Sequence, residues 1–72
     1  MNDELINDIL SAMCEEVDSA ERDIENYEDG GIDNLFENFS DYSKLRGFIW
    51  GMRRAIFLLK YRAKNAGIEV DA

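Results

Sequence analysis

The chain has 72 residues, a net charge of −8, one cysteine, no histidine and no proline. Such a length allows one domain with a small core, which supplies roughly 3–5 kcal/mol unless a staple or an oligomer adds to it. The lone Cys14 excludes an intrachain disulfide, and with no histidine a zinc site cannot be assembled.

The N-terminus, Met1-Asn2-Asp3-Glu4, is acidic where a secretory signal would be basic, so a cytoplasmic location is expected. The longest apolar run, Ala55 to Leu59, falls far short of the ~20 residues that span a bilayer. A first helix is predicted over 3–28. Asn2 is the expected N-cap, and Asp3 and Glu4 suit the positive end of the helix dipole. Ile6, Leu10, Met13, Val17, Ala20, Ile24 and Tyr27 recur at alternating spacings of four and three, a heptad seam for packing along another helix. Leu5 and Ile9 widen that stripe. Cys14, beside Met13, reads as a buried free thiol.

Asp29-Gly30-Gly31 ends the first arm, since glycine reaches positive φ without steric cost. A short helix is predicted over 32–39, its Ile32, Leu35, Phe36 and Phe39 plugging the end of the molecule. The second long helix is predicted over 41–65, capped by Ser40 or Asp41. Its seam is Tyr42, Leu45, Ile49, Met52, Ile56, Leu59 and Ala63, which matches the first seam in spacing and length. Asn65-Ala66-Gly67 stops it, and residues 66–72 read as a tail, frayed from Ile68 onward. The expected fold is all-α: one domain, an antiparallel helical hairpin of two long helices with a short connecting helix, completed by oligomerisation.

Charge is partitioned along the chain. Residues 1–41 carry fourteen acids and one base, Arg22, whereas residues 42–66 carry seven bases and no acid. The simplest expectation is that the acidic arm lies against the basic arm and the charges meet across their edges. The alternative is that one arm faces a charged partner.

Two faces of the second arm are candidates for such a partner. Arg46, Trp50, Arg53, Phe57, Lys60, Tyr61 and Lys64 fall on one side and are expected opposite the seam. Exposed Trp and Phe among cations on a small domain mark a partner site, with Trp50 and Phe57 as anchors. Gly47, Gly51 and Ala55 recur every four residues, a spacing that lets a neighbouring helix approach closely. The expected partner is another protein or a second copy of the chain. The acidic arm would repel nucleic acid, which argues against a polyanion. A small inhibitor that mimics DNA through Glu15, Asp18, Glu21 and Glu25 is the alternative function.

Catalysis finds no constellation: there is no histidine, no base placed for Cys14 and no phosphate-cradling loop. A calcium loop with Gly30 at its sixth position would need oxygen ligands where Tyr27 and Phe36 stand. No enzyme activity, cofactor or metal is therefore expected.

The stretch from Phe39 to Ala55, with Tyr42, Gly47, Gly51 and Ala55 at its key positions, resembles a pattern in small helical virion-accessory proteins of phages. There an aromatic residue and a tyrosine precede two glycines and a small residue in the last long helix. The resemblance covers about a quarter of the chain. It implies an accessory protein bound to capsid, portal or tail, and a virion-associated location.

Overall fold

The computed structural model describes residues 3–70. Asn2, the expected cap, and residues 71–72 of the tail lie outside them. The chain forms three helices: α1 (Asp3–Asp29), α2 (Gly31–Glu37) and α3 (Phe39–Asn65). Among the described residues there is no strand. Neither long helix meets a proline, so each runs its full length, ~40 Å at 1.5 Å per residue.

The two seams meet. Val17, Ala20 and Ile24 of α1 are buried with Ile49 of α3, and Tyr42, Leu45, Met52 and Ile56 pack against them. At the other end Leu10 and Ala63 are buried. Every seam residue on both helices is buried or half-buried. Contacts of α1 with α3 and with the segment that follows it run in reverse order along the two. The Tyr42 hydroxyl donates to the Glu28 carboxylate (3.1 Å), Arg53 pairs with Glu21, and Asn7 Nδ2 donates to the Glu69 carbonyl (3.0 Å). A molecule of 49 × 15 × 12 Å results. Its radius of gyration of 15.5 Å exceeds the roughly 11 Å of a compact globule of this length.

The turns are made by glycine and asparagine. Gly31 takes φ +84°, the left-handed region that reverses the chain after α1. Asn34 Nδ2 then donates to the Tyr27 carbonyl (2.9 Å), satisfying one of the unpaired carbonyls at the end of α1. Asn38 is the N-cap of α3, so the helix starts ahead of the expected caps Ser40 and Asp41. The Asn38 carbonyl accepts the Tyr42 N–H (2.9 Å), and its side chain is held by Asn34.

At the end of α3 the Ile68 N–H bonds the Ala63 carbonyl (2.9 Å) and the Gly67 N–H bonds that of Lys64 (3.1 Å). With Gly67 at φ +80°, this is a Schellman motif. Three expectations change here. The segment after Gly67 is not frayed over its described part: the Glu69 N–H donates to Asp3 Oδ2 (3.3 Å) and its carbonyl accepts from Asn7. The short helix does not plug the molecule, because Ile32, Phe36 and Phe39 are exposed and only Leu35 is half-buried. The seven residues of α2 make two turns and hold only three of the four, Ile32, Leu35 and Phe36, while Phe39 already begins α3. Cys14 is half-buried rather than buried, one position off the seam.

Leu10 is fully buried, so Leu10→Ala is expected to cost about 2–5 kcal/mol. Gly67→Ala, forced into the left-handed region, is expected to cost about 1–2 kcal/mol. Urea unfolding followed by circular dichroism measures both.

Candidate interaction groove

Each long helix is wider than its seam, and residues just beyond it are left at the edges of the pair. Along one edge a groove of about 700 Å³ opens between α1 and α3. Ile24 and Ile49 form its floor. Its α1 wall is acidic, with Glu21, Glu25 and Glu28, and its α3 wall carries Arg46, Arg53 and Arg54 with Trp50 and Phe57.

The expected face of α3 is thus placed as a flank and not opposite the seam. At about 100° per residue, Trp50 stands one step round the helix from the buried Ile49, so it borders the seam. The positions diametrically opposite belong to Gly47 and Leu58. Trp50 is 74% exposed, and Phe57 and Tyr61 are exposed as well. Phe57 and Tyr61, four residues apart, stack with ring centroids 6.3 Å apart and planes at 17°. The Arg46 guanidinium lies 5.9 Å from the centre of the Tyr42 ring, which orients it beside the groove. The groove therefore combines an apolar anchor, an oriented cation and a carboxylate wall.

The arms do not neutralise one another. Among the described residues the one ion pair is Glu21 with Arg53, and both side chains remain largely in solvent. Glu28 and Asp3 accept hydrogen bonds from uncharged groups, the Tyr42 hydroxyl and the Glu69 N–H, and Arg46 lies over the Tyr42 ring, so none of these meets an opposite charge. The expectation that charges meet across the edges holds at this one point.

The second candidate face is open. A Cβ built on Gly47 or on Gly51 would meet nothing within 4 Å, and Ala55 is half-buried. Neither glycine is explained by packing inside the chain, although each costs the helix about 1 kcal/mol relative to alanine. Glu28 and Arg54 of the groove are not among the residues singled out in the sequence, and Glu21 and Glu25 figure there only as acids of the alternative, DNA-mimicking surface. Aligning the two heptads in opposite directions would have brought Glu21 level with Arg53.

No helix is long and apolar enough to cross a membrane. Among the described residues no three acidic or cysteine side chains cluster as a metal site.

Arg53→Ala is expected to change stability by less than about 1 kcal/mol, as befits an exposed pair. Trp50, the single tryptophan, is expected to emit like a solvated indole and to be quenched freely by acrylamide. Urea titration and fluorescence check these two statements.

Compared with family models, curated proteins and solved structures, the chain matches none of them.

Proposed function

We propose that this chain is a non-enzymatic helical protein–protein interaction module, an antiparallel hairpin that docks through the groove beside Trp50. One observation carries the reading: a tryptophan 74% exposed sits between Arg46, Arg53 and Arg54 at the edge of a groove with an apolar floor. Large aromatics and arginines of this kind dominate the energetics of protein interfaces. The partner supplies an apolar side chain for the groove and a mixed rim, acidic toward α3 and basic toward α1.

The distribution of apolar residues supports the same conclusion. Seam residues occupy one side of α3, Trp50, Phe57 and Tyr61 a second, and Phe48 and Leu58 further positions. Large apolar residues left exposed beyond the seam of a small helix pair mark surfaces that a partner covers. The resemblance of Phe39–Ala55 to virion-accessory proteins makes a phage particle the proposed setting, with the Gly47/Gly51/Ala55 face as a further contact. The location that goes with it is cytoplasmic or virion-associated.

A second reading, the acidic inhibitor, is favoured by one observation: Glu15, Asp18 and Glu25 are exposed and outside the one ion pair among the described residues. Binding would then fall steeply with salt and vanish when Glu15, Asp18, Glu21 and Glu25 are neutralised.

The test is capture of a particle protein by the immobilised chain and by its Trp50→Ser/Phe57→Ser variant. Loss of capture by at least tenfold with helicity retained, and a blue shift of Trp50 emission on capture by the wild type, are expected. Capture unaffected by the double variant, but lost on neutralising the four acids, would establish the inhibitor reading instead.

A further inference from the structure

The groove occupies one flank of the helix pair, and the opposite flank is built differently. Glu21, Glu25, Trp50 and Arg53 mark the groove side. At about 100° per residue, Leu5 and Ile9 of α1 and Phe48, Ala55 and Leu59 of α3 fall on the other side. Helix α3 widens its apolar seam in this direction, and α1 does so over its first turns; further along α1 the acids Glu16 and Asp23 stand at the same rotation. Leu5, Ile9 and Phe48 are exposed there, at 56%, 44% and 41%.

We propose that a second copy of the chain covers this flank, forming a four-helix bundle about a two-fold axis parallel to the helices. Surface area supports the occupant. The chain exposes 5411 Å², where a compact protein of this mass exposes roughly 4,600 Å². The excess of about 800 Å² is what each partner buries in a standard interface.

Charge fixes the orientation. Helix α1 carries eleven acids and one base, and α3 carries seven bases and one acid. An axis parallel to the helices lays α1 of each copy over α3 of the other, acid on base. A perpendicular axis would lay α1 on α1 and α3 on α3, which repel. In the favoured arrangement every neighbouring helix is antiparallel, as in up-and-down bundles. Gly51 and Ala55 border this flank, and the open space above Gly51 lets the partner copy's helix approach closely. The glycine that the chain itself leaves unexplained then has a purpose. On this flank Glu16, one heptad after Ile9, comes within side-chain reach of Arg62 of the other copy. Both are exposed, and neither belongs to the ion pair within the chain.

This dimer leaves the Trp50 groove open and stands independently of what binds there. Light scattering over a concentration series is expected to give twice the 8.3 kDa chain mass. Phe48→Glu is expected to weaken the dimer at least a hundredfold, and Trp50→Ser to leave it unchanged. Because Phe48→Glu can also unfold a chain with so small a core, a charge-swap pair gives an independent reading. Glu16→Arg and Arg62→Glu are each expected to weaken self-association about tenfold, and an equimolar mixture to restore it as a heterodimer. A monomer at every concentration would overturn the proposal, as would a dimer lost on Trp50→Ser but kept on Phe48→Glu. Failure of the mixture to recover would overturn the axis.

Discussion

The structure depends on one contact, the line along which the α1 and α3 seams interdigitate. Val17, Ala20 and Ile24 against Ile49 close its centre, and Leu10 with Ala63 closes the far end. Two helices can bury only the stripes that face each other, so the core is a ridge and not a globule. Every other property follows from that shortage. The molecule is long and thin, its surface is large for its mass, and apolar residues beyond the seam stay in water.

Polar interactions act at the ends, where helices expose unpaired backbone groups. Asn34 caps α1 through Tyr27, Asn38 begins α3, and the Schellman motif at Gly67 turns the chain so that Glu69 reaches Asp3 and Asn7. These bonds set the length and register of the pair. Surface charge contributes little to holding it, since a single exposed ion pair links the long helices. The separation of acids on α1 from bases on α3 matters for what approaches from outside. It gives the groove two walls of opposite sign, and it makes the apolar flank discriminate between ways of meeting a second copy.

The heptads were legible because burial in a helix pair repeats with the helix itself: Ile6 to Tyr27 and Tyr42 to Ala63 could be read from spacing alone. The connecting helix was not, because Ile32, Phe36 and Phe39 share the composition of a core without a place to be buried. Periodicity reports which residues share a face, but not whether anything lies opposite it. The tail was misread for a related reason. Its attachment at Glu69 joins residues more than sixty positions apart, and no local pattern records such a contact. Trp50 was recognised as exposed from its offset from the seam, yet its place at the mouth of a groove required the position of α1.

The sequence by itself determined the all-helical class, the two seams, the glycine stops and the division of charge, all of which are local or periodic. Only the tertiary structure decided which acid meets which base, which flank holds Trp50 and Phe57, and which flank holds Ile9 and Phe48. Those outcomes depend on the relative rotation and offset of two helices. Many residues distant in sequence set that geometry together, and no one segment encodes it.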